Sequence, residues 1–341
     1  MFRFMFRWSI RLLIMLIVAG VAATYWVRTV AERPLAFATS QPAGRIEFAV
    51  PPGSSLRAIG RTIAAAGVPI EPWQLEIIAR LDGKAAQLKA GSYAIDNGIT
   101  LRALIDKLAR GDVLTADVRF VEGWTFRQMR KALADALHVR HESTALDDNA
   151  LLRALGVTDA HPEGIFFPDT YVFARGTSDI AIYKLAYQAM QKHLTAAWAG
   201  RPASSPLKTP YDTLILASII EKETGKSDER GLVSAVFVNR LRSGMRLQTD
   251  PTIIYGLGSR FDGNLRKRDL QADGPYNTYT RAGLPPTPIA LPGRASIDAA
   301  LRPASSDALY FVARGDGSSE FSRTLEEHNR AVAKFQLRGG R

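Results

Sequence analysis

Residues 214–225 read LILASIIEKETG, seven uncharged positions followed at once by Glu221, Lys222 and Glu223. At about 100° per residue, Leu214, Ala217, Ser218 and Glu221 share one helical face, and Leu216, Ile219 and Glu223 lie opposite. The positions between are apolar too, so the pattern predicts a core helix, greasy all round until its last turn. Asp212, after Pro210, is a candidate N-terminal cap, and Gly225 a stop. Acidic groups in a last turn oppose the helix dipole, which favours cations there. Two of them ask for a reason. One reason is pairing with an arginine of the following helix, such as Arg230 or Arg240. The other is chemistry, because a carboxyl held against apolar surface keeps its proton to higher pH, as a general acid must.

The flanking sequence favours chemistry. A second helix is expected over about 228–243, ended by Gly244, and a loop with Gln248, Thr249, Asp250 and Pro251 follows. YNTYTRAGLPPTPIALPG (276–293) is a long Pro/Gly-rich loop carrying Tyr276, Asn277 and Tyr279. Long ordered loops are usually functional. Amides, hydroxyls and aromatic faces are the groups that grip sugars. Upstream, HPEGIFFPDTYVFARGTS (161–178) adds Glu163, Phe166, Phe167, Asp169 and Tyr171. Near the end, Leu309–Ala313 and Glu320–Ser322 form a hairpin around a Gly-Asp-Gly turn.

The first half carries a repeated unit. In IEFAVPPGSSLRAIGRTIAAAG, from residue 46, Ile46, Phe48 and Val50 alternate, Pro51-Pro52-Gly53 turns, and Ser55 caps a helix with Leu56, Ile59 and Ile63 inward. DVRFVEGWTFRQMRKALADAL (117–137) repeats the plan with Val118 and Phe120, Gly123, Thr125, and Phe126, Met129 and Leu133. Between the copies lie a helix over 73–81, a returning strand in LKAGSYAI and a helix over 101–109. The β-α-α-β order around residues 46–112 loosely resembles a LysM module, a binder of N-acetylglucosamine polymers.

The chain opens MFRFMFRWSIRLLIMLIVAGVAATYWVRTVAERP, uncharged from Leu12 to Val27. With Trp8, Ser9, Ile10 and a snorkelling Arg11, that reaches the length needed to cross a bilayer. Arg3, Arg7 and Arg11 ahead of the run predict a cytoplasmic N-terminus, and Trp8, Tyr25 and Trp26 suit the interfaces. A cleaved signal peptide, with small Val21 and Ala23, is the rival reading. Either way residues 34–341 are expected outside the inner membrane. The expectation is an α+β protein: anchor 1–30, linker 31–45, LysM-like α+β module 46–112, larger α+β catalytic domain 113–341.

The 341 residues carry net charge +11, from 44 basic and 33 acidic side chains. Such a balance suits an anionic membrane or a polyanionic polymer. The basic residues are scattered and form no stripe, so nucleic acid is not indicated. No cysteine is present, which excludes disulfides and thiolate metal sites. His138, His141, His161, His193 and His328 show no metal-ligand spacing, and no cofactor is implied. SPLK (205–208) lacks the later motifs of penicillin-binding enzymes, and GLGSRF lacks the third glycine of a nucleotide loop.

ASIIEKETG, VFVNRLRSGMRLQTDPTIIYGLG, YNTYTRAGLPPTPIALPG, LYFVARGDGSSEFSRTLEEHN and EGIFFPDTYVF occur in order, and together they resemble the endolytic murein transglycosylases, the MltG-like or YceG-like family. Ile165 and Phe167 depart from it, standing where many relatives carry tryptophan. The resemblance implies Glu221 as catalytic carboxyl, with Glu223 supporting it. Glu163, Gln248, Asp250, Tyr276, Asn277 and Tyr279 are cleft candidates from their chemistry alone. It further implies peptidoglycan glycan strands as substrate, cut internally to leave 1,6-anhydro-MurNAc ends. It also implies an inner-membrane location and a role beside the peptidoglycan synthases, the penicillin-binding proteins. One carboxyl suffices if it serves as acid and then as base, with Asn277 or Gln248 steadying the cation between. Two other readings stay open. One is a hydrolytic muramidase drawing a second carboxylate from Glu223, Glu163 or Asp250. The other is a non-catalytic wall-binding or divisome scaffold.

Overall fold

The structure, a computed structural model, describes residues 2–37, 44–158 and 161–337, the side chains of residues 2–10 and 337 excepted. The expected linker over 31–45 therefore lies in part outside the described residues. The chain divides into two compact units, one of residues 1–116 and 173–177, the other of 117–172 and 178–341.

The first unit starts with α1 (Phe2–Glu32), then β1 (Arg45–Val50), α2 (Leu56–Ala65), α3 (Pro72–Leu81), β2 (Gly91–Asp96) and α4 (Leu101–Arg110). Within α1, Arg11–Glu32 is long and apolar enough to cross a membrane, and its side chains from Leu12 to Val18 are all more than half exposed. This fits a single-pass anchor. β1 pairs antiparallel with β2, setting Ile46 opposite Ile95 and Phe48 opposite Tyr93. Ile46, Phe48 and Val50 are buried and their neighbours exposed, as the alternation predicts. Ser55 accepts the Ala58 N–H and Thr100 that of Ala103, starting α2 and α4. Ile59, Ile63, Leu75, Ile78, Tyr93, Leu104 and Leu108 form the core, and Ala31, Leu35 and Phe37 enter it from the end of α1.

β3 (Thr115–Arg119) and β4 (Thr170–Ala174) each run across the division, the second unit holding 117–119 and 170–172. It further comprises α5 (Phe126–Ala134), α6 (Asp148–Ala154), α7 (Asp179–Ala199), α8 (Pro210–Glu223), α9 (Arg230–Arg242), α10 (Asp250–Leu257), α11 (Lys267–Gln271), α12 (Arg294–Leu301), β5 (Tyr310–Ala313), β6 (Ser319–Ser322) and α13 (Leu325–Val332). β3 pairs with β4, and β5 with β6 as the predicted hairpin. The repeat holds: Thr125 caps α5, and Phe126, Met129 and Leu133 are buried. α8 is the centre. Every residue from Thr213 to Ile220 is buried, so the core reading of its sequence stands. Its cap is Thr209, not Asp212. The Thr209 hydroxyl accepts the Asp212 N–H, and the Asp212 carboxylate accepts the Thr209 N–H in return. Asp212 sits one turn too far in to cap and closes the box instead.

Two side-chain ties hold the loops around α8 and α9. Ser218 accepts the Ile289 N–H at 2.9 Å, pinning the long 276–293 loop against α8. Arg240, 8% exposed, donates to the carbonyls of Leu309 at 2.7 Å and Leu247 at 2.6 Å. Arg240→Ala removes a charged donor from two carbonyls at once. Urea unfolding should show a loss of about 2–3 kcal/mol with an unchanged m value. A loss within error of zero would mean that solvent replaces the guanidinium freely.

Candidate active site

The last turn of α8 carries Glu221 out of the apolar run while leaving its side chain only 7% exposed. The Gly293 N–H donates to Oε2 at 2.9 Å. Arg230, at the start of α9, approaches Oε1 at 3.8 Å, and its own Nε is buried without a partner. One carboxylate oxygen is therefore fixed by a hydrogen bond and the other is only loosely paired. Arginine pairing was the plainer explanation for this glutamate, and it is present. It leaves one oxygen under-used.

Gly293 is held from the opposite side. The Gly123 N–H donates to Leu291 O at 2.9 Å, and the Leu291 N–H donates to Trp124 O at 2.6 Å. Lys222 adds a longer contact to Gly123 O at 3.4 Å. The turn after β3 thus zips onto the end of the 276–293 loop. Glu122 of that turn lies directly on Gly293, where a Cβ would meet its Oε1 at 1.9 Å. Partial desolvation, and then the negative charge of Glu221, raise the Glu122 carboxyl above its usual range, while Arg230 pulls it back. Glu122 and Glu221 therefore meet at one glycine, with Arg230 beside Glu221. Sequence reasoning missed Glu122. Its signal is its place in the turn of the second repeat copy, VEGW, where the first copy has the uncharged PPGS.

Glu223 has a different neighbourhood. The Thr249 hydroxyl donates to it, and the Thr249 N–H donates to Thr278 Oγ1 at 3.1 Å. Thr278 and Thr252 share a hydrogen bond of 2.9 Å. Burial raises the Glu223 carboxyl and the Thr249 hydroxyl opposes the rise. This carboxyl ties the 248–252 turn to α8. Gln248 in that turn is exposed at φ +50°, an uncommon conformation for a residue with a side chain. The Tyr279 hydroxyl donates to exposed Asp250 at 2.7 Å.

The remaining candidates serve the scaffold. Asn277 is buried. Its amide donates to the carbonyls of Asp269, Leu270 and Ala272, and its Oδ1 accepts from Tyr279 N and Thr280 N. Every polar position is used, so nothing is left to steady a cation. The Tyr276 hydroxyl bonds Thr287 at 2.8 Å, and its ring meets Tyr255 edge-on. Glu163 is 3% exposed and accepts the Phe126 N–H at 2.8 Å, with the Tyr255 hydroxyl as second partner. It faces the interior instead of an open cleft. Ile165 and Phe167 are buried as well, Phe167 against the His193 ring at 4.2 Å, so the departures from tryptophan fall in the core. Among the described residues no acidic or histidine cluster suits a metal ion.

The profile of the YceG-like family matches residues 48–334. The chain is 33% identical over 307 residues to the endolytic murein transglycosylase of Bacillus subtilis, covering 85% of this chain and 84% of that protein. It is 28% identical over 323 residues to the endolytic murein transglycosylase of Streptococcus pneumoniae, of which it spans 58%. A crystal structure of a yceG-like protein from Listeria monocytogenes superposes with a TM-score of 0.51 at 31% identity, covering 84% of this chain and 98% of that one.

Burial pushes the Glu163 carboxyl from 4.5 up to about 7. The folded state then binds this proton more tightly than the unfolded chain. The associated stability is fully present below pH 4.5, falls as pH rises to about 7, and is constant above. Relative to Glu163→Gln, the native chain should lose up to about 3 kcal/mol across that window in denaturant titrations. Parallel curves for the two proteins would show that Glu163 is ionised throughout.

Proposed function

We infer that this chain, which belongs to the YceG-like family, is an endolytic peptidoglycan lytic transglycosylase anchored in the inner membrane by α1. The observation that carries the chemistry is the Glu221 carboxyl, nearly buried at the end of a core helix, with one oxygen fixed by Gly293 and the other free of any short hydrogen bond.

As acid, Glu221 gives its proton to the glycosidic oxygen between MurNAc and GlcNAc, and the C1–O bond breaks toward an oxocarbenium ion. As base, the resulting carboxylate takes the proton of the MurNAc C6 hydroxyl while that oxygen closes on C1. Glu221 ends protonated, and no water is added. The internal hydroxyl supplies a high effective concentration, so a second carboxyl is not required. Arg230 balances the charge that appears on Glu221 after the first transfer. Glu223 keeps the 248–252 turn in place, with exposed Gln248 and Asp250 offering polar groups to the glycan. In this reading α1 spans the bilayer with the N-terminus in the cytoplasm. Residues 46–112 form a LysM-like module, and 113–341 are the periplasmic catalytic domain, acting on nascent strands near the synthases.

Uncrosslinked glycan strands incubated with the full chain should yield internal cuts with 1,6-anhydro ends, one water lighter than reducing ends by mass spectrometry. Glu221→Gln should lower turnover about 10²-fold or more. Reducing ends would instead indicate hydrolysis, with Glu122, whose charge interacts with that of Glu221, as the second carboxylate. Strands left intact but bound would indicate the scaffold.

Glu122 acts as a positioning residue through Gly293. Gly293→Ala places a methyl where the Glu122 carboxylate lies, although φ −76° is ordinary for alanine. Turnover should fall about tenfold with KM and the melting midpoint nearly unchanged. Glu122→Gln should alter the shape of the pH–rate profile. An unchanged profile in Glu122→Gln would reduce Glu122 to a packing role.

A further inference from the structure

Outside α1, the exposed large hydrophobic residues described in the first unit are Trp73 at 43%, Ile77 at 39% and Leu81 at 63%. All belong to α3, spaced four apart, and so form one stripe. Its opposite side, with Leu75, Ile78 and Ala79, is the one buried in the core. α3 is therefore apolar on two sides, and the core accounts for one. A contiguous exposed apolar stripe marks an interaction surface.

The first residue of the stripe touches α1. The rings of Trp26 and Trp73 stack with centroids 5.4 Å apart and planes 8° from parallel. Trp26 and its exposed neighbour Tyr25 close the apolar length of α1, about 21 Å beyond Leu12 at 1.5 Å per residue. Aromatic residues at that point belong at headgroup level. Directly beyond, α1 is locked into the unit: Ala31 and Leu35 are buried, and Glu32 pairs with Arg102. The stack thus joins two parts already fixed to each other.

We propose that Trp73, Ile77 and Leu81 lie in the phospholipid interface, making α3 a second, in-plane membrane contact beside α1. The proposal rests on reading α1 as a bilayer anchor. Lipid is the occupant because the stripe continues the surface that lipid covers on that anchor. Exposed Arg28 follows Trp26 and is a cation suited to anionic headgroups, while Arg80, two-thirds exposed beside the stripe, is paired with Glu76 at 2.8 Å. With two contacts, the unit is held at a set distance from the bilayer instead of swinging on one tether.

The absence of cysteine allows single nitroxide labels without background. Ile77→Cys, Leu81→Cys, Val18→Cys in α1 and exposed Arg61→Cys on α2 would each be labelled in the full chain. The vesicles would contain phosphatidylethanolamine with phosphatidylglycerol. Labels at 77 and 81 should collide with oxygen in severalfold preference over a water-soluble nickel chelate, as at 18 and unlike 61. If 77 and 81 match 61 while 18 stays shielded, α3 lies in water and the proposal is wrong though the anchor stands. If 18 is aqueous too, the anchor reading fails and takes the proposal with it. Spin–spin broadening at 77 and 81 would put a second copy of the chain on the stripe and also overturn it.

Discussion

A buried helix that supplies side-chain acceptors to the backbone of a distant loop is the constraint on which the second unit depends. Ser218 and Glu221, on the same face of α8, receive the N–H groups of Ile289 and Gly293. The 276–293 loop has no regular structure to satisfy its amides, and buried amides without partners are costly. α8 satisfies two of them at separate points. This is why the helix must be apolar on every other side. Its position has to be set by packing before its polar atoms can set anything else. The same hydrogen bond that orders Gly293 also aims the carboxyl, so fold and site share one interaction.

The second anchor of that loop comes from the repeated strand-turn-helix unit. In the first unit the turn after β1 leads into a capped helix and does nothing more that the structure reveals. In the second the equivalent turn zips to Leu291 through Gly123 and Trp124 and lays Glu122 on Gly293. Gly123 adopts φ +77°, which a side chain would resist, and a Cβ on Gly293 would displace the Glu122 side chain. The two glycines let the two loops approach closely enough for Glu122 to share one field with Glu221 of α8 and Arg230 of α9. Such proximity arises from topology, and the repeat marks only the turn that carries Glu122.

Much of the fold was legible for that reason, and the site less so. The alternation of Ile46, Phe48 and Val50, the caps at Ser55 and Thr125, and the greasy run of α8 are local patterns, and local physics governs them. The cap of α8 went to Thr209 because a capping box has two ends, and Asp212 is as good a closer as it is a cap. Glu221 stood out because a charge at the end of an apolar run is a local contradiction. Asn277 and Glu163 looked like cleft residues because their chemistry suits a cleft. Glu163 accepts the Phe126 N–H from α5, and Asn277 bonds backbone groups of residues 269–280 in its own stretch of chain. Polar residues in a Pro/Gly-rich segment have to hold the segment together before any can face a ligand.

The charged triplet that ends α8 then resolves into three separate tasks. Successive positions on a helix point about 100° apart, so Glu221, Lys222 and Glu223 address three different neighbours. Glu221 meets Gly293 and Arg230, Lys222 reaches the Gly123 carbonyl, and Glu223 takes the Thr249 hydroxyl. Three loops far apart in sequence are thereby gathered at one helix end. The unfavourable dipole interaction of two acids in a last turn is modest, of the order of 0.3–1 kcal/mol each. It is offset by the loops they order. Glu221 and Glu223 each accept one short hydrogen bond on one oxygen, from Gly293 and Thr249 respectively. Their surroundings separate them: Glu221 shares its field with Arg230 and Glu122, and Glu223 faces the linked hydroxyls of Thr249, Thr278 and Thr252.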